Sequence, residues 1–192
     1  MFSMRRDLID KFLISHISLF KGKVIDIGGK KIGSRGKFKP PHHQVESWEF
    51  LNIDKETNPD YLCDATSIPV KDEFFDTIIA TEILEYISDP IKFLDEAKRV
   101  LKKSGTIIIT TPFMHAVHAD LKYDRYRFTG NYLEEICNRF EFNSVTIEPM
   151  GSMGSVIYDI IRVGCTYASF KTYKIIAEVT AAHRQYADVP KS

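Results

Sequence analysis

The residues best suited to chemistry in this chain are acidic side chains placed where predicted strands end. The segment 23–29 reads KVIDIGG, so an apolar strand carries Asp26 and runs into the glycine pair Gly28 and Gly29. Glycine lets a ligand approach the backbone because it has no Cβ. A dinucleotide site places its glycines to receive a phosphate, whereas a carboxylate at the end of the strand suits a ligand that carries a cation. S-adenosylmethionine, with its sulfonium and α-amino group, is such a ligand.

Three further acids follow later predicted strands. Asp54 ends the second strand, where doubly wound sheets use an acid to bind ribose hydroxyls, although a surface acid that starts a turn is the alternative. Asp64 follows the third strand and suits an adenine amino group, with the backbone amide of Ala65 beside it. Glu82 follows the fourth strand and is expected to face the same crevice as Asp26, since ligands of open α/β sheets bind beyond the carboxyl ends of the strands.

A long connection after the fifth predicted strand, residues 113–129, is rich in titratable and aromatic side chains. Connections of this length are often functional. His115 and His118 suit a general base because imidazole titrates near neutrality, and Asp120 or Asp124 is the fallback. A structural hydrogen-bonding role is the alternative for each of them. Two histidines without a cysteine or carboxylate pattern do not predict a metal site.

The elements that must position these residues alternate between strand and helix. The apolar patterns predict an α/β fold, with a Rossmann-like, doubly wound and mostly parallel sheet that has helices on both faces. The expected strand order is 3-2-1-4-5-6, and no seventh strand is evident. The strands are predicted at 23–27, 48–53, 61–63, 74–80, 106–111 and 142–150. Helices are predicted over 1–20, from the Ser88-Asp89-Pro90 start to Gly105, from an Asn131/Glu134 capping box to Phe140, and from 151 onward.

Length and composition predict one domain over 1–192, with an amphipathic helix at 1–20, a cofactor-binding core at 21–150 and a helical tail at 151–192. The 192 residues carry 26 basic and 26 acidic side chains, so bulk charge predicts no nucleic-acid partner. Three widely spaced cysteines favour reduced thiols and a cytoplasmic protein. No uncharged run reaches transmembrane length. The apolar tail leaves a homodimer surface or a peripheral membrane contact open.

Together these motifs resemble the class I S-adenosylmethionine-dependent methyltransferases, in particular the branch grouped as methyltransferase type 11. The resemblance covers about 23–150. It rests on the glycine-rich motif at 24–29, the acid Asp54, the adenine-side motif DATSIP at 64–69, and the segments TEILEYI at 81–87 and RVLKKSG at 99–105. The segment YDRYRFT at 123–129 is similar to a run in members found among surface-polysaccharide genes.

The resemblance implies transfer of a methyl group from S-adenosylmethionine to a small-molecule acceptor, with a sugar hydroxyl as the expected acceptor class. Neither an Asn-Pro-Pro-aromatic stretch nor a Pro-Cys nucleophile is present, which disfavours adenine amino groups and pyrimidine rings as acceptors. Two rivals stay open. A nicotinamide-dependent oxidoreductase would share the fold, and a noncatalytic binding module would explain Lys30 and Lys31, which stand where the family has another glycine.

Overall fold

The computed structural model describes residues 3–32, 36–115, 123–140, 142 and 144–166. The strands are β1 (Lys23–Ile27), β2 (Ser47–Asn52), β3 (Tyr61–Leu62), β4 (Phe75–Thr81) and β5 (Leu101–Thr110). The helices are α1 (Met4–Ser15), α2 (Pro90–Val100), α3 (Gly130–Arg139) and α4 (Met153–Thr166). Single 3-10 turns lie at Ile17–Leu19 and Lys55–Thr57.

The five strands form one sheet in the order β3-β2-β1-β4-β5, and every neighbouring pair is parallel. This confirms the doubly wound α/β fold and the predicted order of these strands. Because all the strands run the same way, their carboxyl ends meet at one edge of the sheet. The order reverses between β1 and β4, which is the switch point where such sheets bind ligands.

Side chains alternate between the two faces of the sheet. In β1, Val24 packs with Ile9 and Leu13 of α1, whereas Ile25 belongs to the opposite core that holds Phe93 of α2. The same alternation separates successive residues of β4. The helices therefore cover both faces, as predicted, and α1 covers the face toward which Asp26 also points.

The predicted end of α2 at Gly105 is wrong. The helix begins as expected, with the Asp89 carboxylate accepting from the Lys92 backbone N–H, but it ends at Val100. Leu101 already has extended dihedral angles and pairs with Phe75. Burial of Leu101 against the core favours this direct entry into β5, so Gly105 lies inside a ten-residue strand.

Two further boundaries differ from prediction. The cap of α3 is Thr129, whose hydroxyl accepts from the Tyr132 N–H, so Asn131 lies within the helix. The described residues of 142–150 form no strand, and within the described chain the sheet ends at β5. Ile147 remains 38% exposed, so the alternating pattern there gains little burial from sheet packing. α4 confirms the helical expectation for its part of the tail, and 167–192 lie outside the described residues.

Candidate functional site

The turn after β1 is built around the carboxylate of Asp26. A Cβ placed on Gly29 would lie 2.4 Å from Asp26 Cγ, so this position has no room for a side chain. Gly28 has φ +78°, a conformation that glycine adopts readily. The predicted turn is therefore present, and Asp26 lies directly against its backbone.

Asp26 is an acid in a desolvated position. Burial raises the pKa of its carboxyl to about 7, an effect that the indole N–H of Trp48 offsets only in part. That N–H makes no hydrogen bond of ordinary geometry within the described residues. A raised pKa at the end of a central strand, beside a glycine turn, is the kind of perturbation that clusters at functional sites.

Asn52, at the end of β2, holds the turn in place, and the sequence analysis did not single it out. Its side-chain N–H group donates to the carbonyl oxygens of Gly28 (3.2 Å) and Gly29 (3.0 Å). Its side-chain oxygen accepts from the Asp54 N–H at 3.0 Å. Asn52 therefore ties the glycine turn to the predicted ribose acid. The only signal in the sequence was a polar residue at the end of an apolar strand.

Asp54 and Asp64 lie beyond the neighbouring strands at matching heights. Asn52 of β2 pairs with Leu62 of β3. Asp54 follows Asn52 by two residues, and Asp64 follows Leu62 by two residues. Both side chains are exposed and both accept a hydrogen bond from the backbone two residues on. Ala65 is buried beside Asp64. The predicted ribose and adenine acids thus share the edge that carries Asp26.

Glu82 lies at the same edge, but its carboxylate has a partner in the chain. Arg5 of α1 forms an ion pair with it, and Thr110 Oγ1 donates to its other oxygen at 3.2 Å. Glu82 has φ +53°, a strained value for a residue with a side chain. The backbone is fixed there because its N–H donates to the Thr110 carbonyl at 2.8 Å. Strain of this kind often accompanies functional sites.

Glu85, three residues further on, is a second residue that the sequence analysis did not choose. It is fully buried, and neither carboxyl oxygen has a hydrogen-bond partner among the described residues. Burial raises the pKa of this carboxyl to about 7, with the charge of Glu82 adding to the rise. The signal in the sequence was an acid inside the otherwise apolar segment ILEYI.

The predicted base Asp124 is already paired. Both of its oxygens accept from the Arg127 guanidinium, at 2.5 and 2.9 Å, and its side chain is 1% exposed. The Asp124 pair helps raise the pKa of Arg127, so the guanidinium stays charged. Arg127 Nε also donates to the His115 carbonyl at 3.3 Å. His115 is therefore beside this pair, while His118 and Asp120 lie outside the described residues.

A groove of about 620 Å³ lies beside these residues, where the start of α2 faces the segment before α3. Its walls include Ser88 and Asp89 on one side and Tyr126, Phe128 and Tyr132 on the other. The Phe128 and Tyr132 rings are stacked, with centroids 6.0 Å apart. The groove is thus next to the β4 end of the edge, whereas the predicted cofactor residues follow β1, β2 and β3.

The basic loop after β1 is partly neutralised. Lys31 pairs with Asp60 at 2.5 Å, and Lys37 pairs with Asp7 at 3.3 Å. These pairs leave less positive charge in the loop for an anionic ligand. Within the described residues, no three His, Cys, Asp or Glu side chains are grouped to hold a metal, and no helix has the length and hydropathy to cross a membrane.

Comparison with known proteins finds similar methyltransferase domains. Residues 45–109 match the family model described as a methyltransferase domain. A tRNA U34 carboxymethyltransferase of Campylobacter curvus is 24% identical over 156 residues, which cover 81% of this chain and 45% of that protein. The chain spans under half of the length of the curated relatives it matches.

Solved structures show the same fold. A putative methyltransferase from Bacillus halodurans superposes with a TM-score of 0.53 at 18% identity, covering 69% of this chain and 67% of that one. An S-adenosylmethionine-dependent methyltransferase from Archaeoglobus fulgidus gives 0.51 at 15% identity, covering 83% and 87%. The fold is therefore that of the class I S-adenosylmethionine-dependent methyltransferases. With the matched domain model, this confirms the resemblance stated from the sequence.

Proposed function

We propose that this protein binds S-adenosylmethionine at the edge formed by β1, β2 and β3 and transfers its methyl group to a small-molecule acceptor. The observation that carries the proposal is the arrangement after these strands. Asp26 lies against a glycine turn with no room for a Cβ, and Asn52 fixes that turn to Asp54. Asp64 follows the adjacent strand at the same height.

The residues present fit the parts of this cofactor. Asp54 and Asp64 offer exposed carboxylate oxygens for hydroxyl and amino groups, and the exposed Ile53 and Leu62 offer apolar surface between them. Asp26 offers a carboxylate to a positive charge above the turn. Lys30 and Lys31 do not occupy the space above the turn. Gly28 and Gly29 alone form the turn, and the Lys31 side chain pairs with Asp60.

S-adenosylmethionine supplies an activated methyl group, so the task of the chain is to align the acceptor and exclude water. The groove between the start of α2 and the segment before α3 has a volume within the usual range for small-molecule sites, roughly 300–1,000 Å³. Its aromatic walls suit a planar or apolar acceptor. The sugar acceptor expected from the sequence has no support among the relatives, so the acceptor is proposed at the level of a small molecule. His115, His118 and Asp124 stay candidates for contacts with it.

Calorimetry with S-adenosylmethionine, S-adenosylhomocysteine and NAD tests the cofactor. We expect the first two to bind and NAD to give no heat. Asp54→Asn keeps an acceptor for the local turn but removes the charge, and should weaken S-adenosylhomocysteine about fivefold. Asp95→Asn, a change at an exposed acid on α2, is the matched control. Binding of NAD alone would overturn the proposal, and silence toward all three would favour a noncatalytic module.

A further inference from the structure

The charges around Glu85 do not balance within the described residues. Its carboxyl lies within electrostatic range of Glu82, Arg5 and Arg127. Arg127 is held in two contacts by Asp124, and Arg5 is paired with Glu82. Ionised Glu85 is thus a third acid beside two guanidinium groups, each of which already meets a carboxylate. A buried carboxylate in this position gains strongly from one further positive charge.

A residue close to Glu85 already binds a cationic side chain. Glu82, at the end of β4, forms an ion pair with Arg5 of α1, which is seventy-seven residues away along the chain. A guanidinium group therefore already lies at this point of the sheet edge. Tyr86 also lies in the cluster, and burial, together with the charges of Glu85 and Asp124, raises the pKa of its hydroxyl to about 12, so it stays neutral. Glu85 therefore lies in an acidic, desolvated cluster of side chains.

The groove adjoins the loop that holds Glu85. The Glu85 carbonyl accepts from the Arg125 N–H (2.9 Å) and the Tyr126 N–H (3.3 Å), so this segment runs directly along the loop that holds the acid. Tyr126 also reaches the Ser88 carbonyl with its hydroxyl at 3.0 Å, in an exposed hydrogen bond.

We propose that Glu85 binds the ammonium group of a protonated amine acceptor and takes one of its protons. The N–H bond breaks, an O–H bond forms on the Glu85 carboxylate, and the electron pair stays on nitrogen, which gives the neutral amine that methylation requires. The proton then leaves Glu85 for solvent. This inference rests on the proposed function and names the acceptor class for that site.

The groove walls support a cationic ligand in a second way. Tyr126 packs against Phe128 with ring centroids 5.6 Å apart, and Phe128 stacks on Tyr132. The faces of such rings attract ammonium groups, and the rings also pack against apolar substituents. An amine that carries an aromatic ring would place its ring in the groove and its nitrogen toward Glu85.

The test uses benzylammonium as the probe and benzyl alcohol as its uncharged match, with binding followed by ligand-detected NMR on the full chain, with and without S-adenosylhomocysteine. We expect the cation to bind about tenfold more tightly than the alcohol, the usual scale for a charged hydrogen bond. Glu85→Gln keeps the shape and removes the charge, and should abolish this preference. Glu134→Gln, a change at an exposed acid on α3, should leave the preference intact.

Each outcome decides the question. Equal binding of the two probes, no binding of either, or an unchanged preference in Glu85→Gln overturns the amine site. Equal binding and no binding are both measured on wild-type protein. These two outcomes therefore stay decisive even if Glu85→Gln folds poorly. Calorimetry with S-adenosylhomocysteine on the same samples separates the two proposals. A large loss of its affinity in Glu85→Gln would place Glu85 in the cofactor site and overturn the inference. Absence of that affinity in wild-type protein, with the cation preference kept, would overturn the proposed function and leave Glu85 as an amine-binding residue without a methyl transfer.

Discussion

Replacing Glu85 by glutamine should remove a large part of the pH dependence of stability. The carboxyl has a pKa of about 7 in the folded chain against a reference value of 4.5. The folded state therefore holds the proton more tightly, and the free energy of unfolding falls as pH rises from about 4.5 through about 7. A shift of this size corresponds to about 3 kcal/mol, of which about 2.5 kcal/mol falls between about pH 5 and pH 8.

Urea unfolding of the wild type and Glu85→Gln at these two pH values measures the effect. The variant should gain about 2.5 kcal/mol relative to wild type on going from the lower to the higher pH. The comparison between pH values cancels the cost of burying an amide. Asp26, whose pKa is also raised to about 7, leaves a residual slope in both proteins. Parallel pH profiles for wild type and variant would refute the claim that Glu85 is buried without a cationic partner of its own.

Three other substitutions probe the scaffold and the turn. Asn52→Ala removes hydrogen bonds to the glycine turn and to Asp54, and chemical denaturation should show a loss of about 2 kcal/mol; an unchanged midpoint would contradict its role. Gly29→Ala places a methyl group against Asp26, so calorimetry should show S-adenosylhomocysteine affinity falling at least tenfold while the fold persists by circular dichroism; retained affinity would count against the site. Arg99→Met removes donors to two backbone carbonyls after β3 and should lower the melting temperature by several degrees, whereas no change would mean that other contacts suffice.

The fold was predictable from the sequence because its signals are local. Five strands separated by polar turns, with Asp89-Pro90 opening α2, determined the element order, and the parallel doubly wound sheet followed from it. The errors fall where tertiary packing overrides local pattern. Leu101 enters the core as a strand although the helical period continues past it, and Ile147 alternates with polar residues without gaining a sheet partner in the described chain.

The candidate site was predictable only in part. Acids at strand ends can be found from sequence because the strand fixes their height, and the structure places Asp26, Asp54, Asp64 and Glu82 at one edge. Which of these acids is paired depends on residues far away in the chain. The partner of Glu82 arrives from α1, and no spacing rule connects the two. The burial of Glu85 likewise depends on the fold of the whole loop.

The first crossover explains why α1 reaches the site. The described residues between β1 and β2 contain no helix, so the sheet face above Asp26 needs another cover. α1 supplies it: Ile9 and Leu13 pack on Val24, and Asp10 accepts from the Lys37 N–H at 2.7 Å, which holds the loop against the helix. A helix fixed over that face extends its first turn toward the carboxyl edge of the sheet. Arg5 thus meets Glu82 because α1, which carries Arg5, is the helix that covers this face of the sheet. The charge balance at the candidate acceptor site follows from that topology.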